Sequence, residues 1–168
     1  MRTRTLRSVV YVAAGLGLIV ALFATAEYFD AALRGVCSVS SFFSCSLVDS
    51  SGLTATLGIP DYLWGTGGFI AILVVAALAE RRPHDRRLTY ALLGVTSLGV
   101  ALSLWLLYVE LALIHALCPV CATDYVLVGV AWAGAMALAW RSVSPRDDEG
   151  RDDDDDAADD RGHPSPEA

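Results

Sequence analysis

Four long apolar runs, at residues 9–29, 62–79, 88–107 or a little beyond, and 122–140, constrain this chain more than anything else in it. The hydrocarbon core of a bilayer is about 30 Å thick, so a spanning helix needs roughly 20 mostly apolar residues. Inside lipid the backbone must satisfy its own hydrogen bonds, which a single helix does and an isolated strand does not. The runs therefore predict an all-α membrane protein, a bundle of four transmembrane helices. Composition agrees: 55% of the residues are hydrophobic and only 18% charged, far from the make-up of a soluble domain. The first run follows Arg2, Arg4 and Arg7 and contains Ala24-Thr25-Ala26, which imitates a signal-peptide cleavage site. It exceeds the roughly 7–15 residue core of such a peptide, so it is expected to stay as a membrane anchor.

The formal charge of −7 is uneven. From Arg146 onward there are 11 acidic and 3 basic residues, including five consecutive aspartates at 152–156, so the membrane body is close to neutral. No basic surplus offers nucleic acid a surface. The acidic stretch has no apolar periodicity and is expected to be disordered. Two parts follow: residues 1–142 as the membrane domain and 143–168 as a solvated tail. Basic residues in short loops mark the cytoplasmic side. The N-terminus, the loop Arg81-Arg82-Pro83-His84-Asp85-Arg86-Arg87 and the flank with Arg141 and Arg146 are basic, whereas residues 30–61 carry only Arg34. Both termini are then cytoplasmic, in a cell-membrane protein whose four cysteines all lie on the extracytoplasmic side.

Those cysteines are Cys37 and Cys45 in the first outer connection and Cys118-Pro119-Val120-Cys121 where two apolar runs meet. A proline at the first position of a helix loses nothing by lacking an N–H. Cys118 would then sit at a helix N-terminus, where peptide dipoles favour a thiolate. A redox-active pair, half of a zinc site, or two idle cysteines fit the motif alone. The outer side permits disulfides, and four cysteines allow three pairings. Two permanent staples would make this a non-catalytic membrane protein with structural disulfides. Two neighbouring dithiols on one face also suit a relay by thiol–disulfide exchange, and with no haem or iron–sulfur ligand set nearby its acceptor would be a lipid-soluble quinone.

The chain resembles the vitamin K epoxide reductase family in its prokaryotic, disulfide-forming branch. The resemblance rests on Cys37 and Cys45 in a long first outer loop and on Cys45-Ser46-Leu47-Val48-Asp49-Ser50-Ser51. It also rests on Pro60-Asp61-Tyr62-Leu63-Trp64-Gly65 and on Cys118-Pro119-Val120-Cys121 followed by Tyr125. It implies that the long outer loop covers a quinone pocket and that Cys121 faces the quinone, of the menaquinone or ubiquinone type. It further implies that Cys118 exchanges with Cys45 and that Cys37 meets the external thiol partner. Ser51, Asp61 and Tyr125 correspond to the family's loop serine and quinone-oxygen hydrogen bonders. No metal is implied. With nothing foldable after Trp140, the partner is expected to be a separate extracytoplasmic thioredoxin-fold protein. The family also runs the chemistry as epoxide reduction at the expense of thiols.

Position 61 departs from the family's common asparagine, because an ionised aspartate cannot donate to a carbonyl. Asp61 is either protonated, or accepts a proton during quinol formation, or caps the second span. Tyr125 also reads as an interface aromatic. Near the outer end of the third run, Glu110 reads as a residue snorkelling to the interface in preference to a proton relay to the quinone, and His115 as an interface residue rather than a ligand.

Overall fold

The computed structural model describes residues 3–30, 36, 38, 40, 42–51, 60–82 and 85–143. The expected acidic tail from 144 onward, Cys37 and the loop residues 52–59 lie outside the described residues. The regular elements described are helical: α1 (Thr3–Phe29), α2 (Cys45–Ser50), α3 (Asp61–Arg81), α4 (Arg86–Tyr108) and α5 (Pro119–Val143). A π-helical segment, Val109–Ile114, continues α4 without a break. Four helices are long and apolar enough to cross a membrane: Thr3–Phe29, Asp61–Arg81, Arg86–Ile114 and Pro119–Ser142. The third is longer than the run 88–107 because the π segment carries it onward toward the Cys118 motif.

Elements stop where the chain's chemistry stops them. Asp85 precedes α4 and its carboxylate accepts the Arg87 N–H at 3.0 Å, satisfying one of the amides a helix start leaves free. Ser44 caps α2 in the same way, accepting the Leu47 N–H at 3.4 Å.

α1 packs against α3 and α5, and α4 closes the bundle from the other side. The core joins Val10, Ala14 and Ala21 of α1 to Phe69, Ile72 and Ala76 of α3, with Leu92 of α4 and Val128 and Ala135 of α5. α1 is thus a wall of the bundle, as a retained anchor would be. Without a hydrophobic drive between helices in lipid, close approach depends on small residues. A Cβ on Gly17 would meet the Phe69 ring at 2.2 Å, and one on Gly134 would meet Val10 at 2.7 Å. Polar ties add to this: Trp132 Nε1 donates to Ser97 Oγ at 3.0 Å between α5 and α4, and the Thr25 and Thr66 hydroxyls share a hydrogen bond between α1 and α3.

Candidate functional site

α5 begins at Pro119, so Cys118 occupies the capping position, as the proline predicts. Its sulfur takes the part of a capping acceptor: the Cys121 N–H points at Cys118 Sγ over 3.4 Å. Cys118 and Cys121 are free thiols, the first buried and the second half-buried.

Cys45 is brought to them by main-chain pairing. Phe43 and Leu117 form an isolated parallel β-bridge, in which the Leu117 N–H donates to the Phe42 carbonyl at 2.8 Å and the Ser44 N–H to the Leu117 carbonyl at 3.2 Å. Each strand of the bridge runs directly into a cysteine. Around Cys45, the hydroxyls of Ser38, Ser44 and Ser46 lie within hydrogen-bond distance of one another, at 3.1 to 3.2 Å. They tie the residues flanking Cys45 to Ser38, the neighbour of Cys37. The outcome is a distance of 3.0 Å between Cys45 Sγ and Cys118 Sγ, walled off by Val48 and Ala116 with Ile114 and Val120 alongside. Cys45 is itself in a disulfide. A disulfide sulfur therefore faces a free thiol among buried apolar side chains.

The π segment supplies a group the sequence reading sets aside. Glu110 is completely buried, at 0% exposure, not extended to an interface. The Tyr125 hydroxyl donates to Glu110 Oε1 at 3.0 Å and the Cys118 N–H donates to Oε2 at 3.4 Å. Cys121 stands near the same carboxyl. The segment ends at His115, which takes the left-handed conformation at φ 59°. From there the His115 and Ala116 N–H groups both return to the Glu110 carbonyl. A π turn and a non-glycine residue in the left-handed region are each uncommon, and both gather at functional sites. Here they reverse the chain toward Cys118 and turn the Glu110 side chain inward. His115 itself is exposed.

Asp61 is the first residue of α3, with Pro60 before it, and its Oδ1 accepts the Tyr62 N–H at 2.9 Å. It caps from inside the helix and also stands close enough to Glu110, Cys121 and Tyr125 for its charge to act on each. Ser51 closes α2, its hydroxyl donating to the Val48 carbonyl at 2.6 Å. Asp124 is an addition: its Oδ1 is buried without a hydrogen-bond partner among the described residues. Its Oδ2 stands 3.9 Å from where a Cβ on Gly65 of α3 would be. Cys45, Cys118, Cys121, Asp61, Tyr125, Glu110 and Asp124 thus collect at one end of the bundle.

The family model of the vitamin K epoxide reductase family matches residues 8–136, more than half of the chain. The chain belongs to that family. Membership makes it a membrane oxidoreductase, and the match spans α1 through most of α5, so the three described cysteines and Asp61, Glu110 and Asp124 lie inside the family region. Cys45, Cys118 and Cys121 are the oxidisable side chains at that end of the bundle. The sequence signal that points to Glu110 is an ionisable residue inside an apolar run, eight positions before Cys118. Such a residue in a membrane is costly unless it has partners.

Proposed function

We propose that the protein is a membrane thiol oxidase of the disulfide-forming kind. It would oxidise an extracytoplasmic thioredoxin-fold protein and pass the electrons, through Cys37/Cys45 and then Cys118/Cys121, to a membrane quinone. The observation that carries the reading is the 3.0 Å approach of Cys45 Sγ to Cys118 Sγ, between a cysteine in a disulfide and a free dithiol. Two permanent staples have no use for such contact, whereas exchange requires one sulfur to attack another in line.

The exchange balances as follows. The Cys45 thiolate attacks Cys118 of a Cys118–Cys121 disulfide, forming Cys45–Cys118 and releasing Cys121 as a thiolate. Cys37 then attacks Cys45, giving Cys37–Cys45 and releasing Cys118, whose new charge meets the Cys121 N–H. One disulfide is lost and one gained, and two electrons move to the inner pair. The arrangement of Cys45 oxidised beside two free thiols corresponds to the products of that exchange.

The residues beside Cys121 suit a quinone. A quinone presents carbonyl oxygens that need donors, and its reduction takes up two electrons and two protons. Tyr125 offers an O–H, Asp61 and Glu110 offer sites that hold protons, and Cys121 offers the reducing sulfur. When bound, the quinone supplies the terminal oxidant of the inner dithiol. The test is anaerobic reduction of a water-soluble ubiquinone or menaquinone analogue by the purified protein with a thioredoxin-fold donor, followed by absorbance. Quinone consumption that vanishes in Cys118→Ser supports the reading. Absence of any quinone reduction by wild-type protein overturns it.

A further inference from the structure

The buried carboxyl of Glu110 is connected to both sides of the redox step. On one side lies the Cys118 N–H at 3.4 Å, with Cys121 near the same carboxyl. On the other lies the Tyr125 hydroxyl at 3.0 Å. Burying a carboxyl at 0% exposure inside a bundle is unfavourable, and the π segment with its left-handed His115 adds a backbone cost at the same place. Neither holds the thiols together: the β-bridge and the helix cap already do that. A chain needing only structure would gain by placing an apolar residue there.

We propose that Glu110 takes the proton leaving Cys121 and sends it on through the Tyr125 hydroxyl to the electron acceptor, so that thiol ionisation and proton delivery are one linked event. The inference rests on the quinone-reducing reading above. In the first step the Cys121 S–H bond breaks, its proton forms an O–H bond on Glu110, and the thiolate is made beside the acceptor. The protonated carboxyl can then donate to Tyr125 instead of accepting from it. That reversal turns the tyrosine O–H away from Glu110 and toward an acceptor oxygen. As Cys121 gives up its electron pair and the Cys118 sulfur closes the Cys118–Cys121 bond, the tyrosine proton passes to the acceptor oxygen. The Glu110 proton refills the tyrosine, and Glu110, ionised again, takes the second proton from Cys118 and passes it through Tyr125 to the acceptor in the same way. Two electrons and two protons leave the dithiol and both pairs reach the quinone. Besides Tyr125 and Cys121, the titratable group whose charge acts on this carboxyl is Asp61 from α3, so substitutions at 110 are to be compared at one fixed pH as well as across a profile.

Two readouts test the order of the relay. In reduced Cys118→Ser protein, alkylation of Cys121 by iodoacetamide, followed by mass spectrometry, reports thiolate formation without any quinone. Glu110→Gln is expected to slow that alkylation at least about tenfold, since a positioned base contributes at least that much. Glu110→Asp should recover part of the rate, and Tyr125→Phe should leave it unchanged. Turnover with quinone should fall about 100-fold in both Glu110→Gln and Tyr125→Phe. It should fall no further in the double variant, because the two act on one proton path. Unchanged Cys121 alkylation in Glu110→Gln, or additive losses in the double variant, overturns the relay. If wild-type protein reduces no quinone, the functional reading fails instead, and the alkylation rates still report on Glu110 by themselves.

Discussion

The Leu117 N–H donates to the Phe42 carbonyl at 2.8 Å, and this one bond joins the chain leading to Cys45 with the chain leading to Cys118. It is the shortest main-chain tie between the two cysteine-bearing segments. Leu117→Pro removes the donor and leaves the side-chain count unchanged. A hydrogen bond of this kind contributes about 0.5–1.5 kcal/mol, so the population in which Cys45 and Cys118 meet should fall up to about tenfold. The rate of mixed-disulfide formation measures it. Leu117→Ala keeps the N–H and should keep the rate.

Removing the resolving cysteine at each end should trap the exchange halfway. The double variant Cys37→Ser, Cys121→Ser is expected to accumulate a Cys45–Cys118 disulfide, which requires α-carbons within about 7 Å. Mass spectrometry of the non-reduced digest would detect the linked peptide. Two free thiols under oxidising conditions would refute the direct relay.

The two pairs should separate by reductant. Cys118→Ser and Cys121→Ser are expected to abolish quinone reduction with every thiol donor. Cys45→Ser and Cys37→Ser should block turnover with a folded thioredoxin-fold donor while leaving turnover with a small permeant dithiol, which reaches the inner pair directly. Equal losses in all four with the small dithiol would remove the order outer pair, then inner pair.

Gly17 and Gly15 should respond to alanine with opposite signs. At Gly15 nothing lies within 4 Å of an added Cβ, whereas at Gly17 the Phe69 ring lies at 2.2 Å. Alanine favours a helix over glycine by up to about 1 kcal/mol, so Gly15→Ala should hold or raise the Tm in detergent. Gly17→Ala forces the ring and with it α3 outward, at a cost of about 1–3 kcal/mol, and should lower the Tm.

Orientation can be read with added cysteines in a background where the four native ones are serine. Leu47→Cys, exposed on α2, should react with a membrane-impermeant maleimide in intact cells. Arg87→Cys, at the start of α4, should react only after the inner face is opened. The reverse pattern would place the sulfur cluster on the cytoplasmic side.

The four spans were legible because bilayer thickness sets the length of an apolar run, and the start of α5 was legible because a proline after Cys118 has one good place in a helix. The place of Asp61 at the head of α3 was legible, since an acidic residue after Pro60 at the start of a span suits a cap. Glu110 was not. Its fate depends on whether the helix keeps its register past Tyr108, and an apolar run reads the same with or without a π turn. The meeting of Cys45 with Cys118 was legible only through the family resemblance: α2 is six residues long, too short for periodicity to register, and it is held by a bridge to a segment more than seventy residues away. Asp124 was passed over because nothing in its sequence neighbours says that Gly65 of another helix will stand opposite it.

The π segment gives this fold an unusual sensitivity to length. A helix turns its side chains by about 100° per residue, so deleting a single residue between 109 and 114 and letting the helix relax to ordinary winding would swing the acid out of line with Tyr125. Hydropathy, span count and every cysteine would survive such a deletion unaltered. Two relatives indistinguishable as membrane proteins can therefore differ in whether an acid stands beside their thiols, and the difference is carried by the spacing between an acidic residue and a cysteine pair rather than by the identity of either.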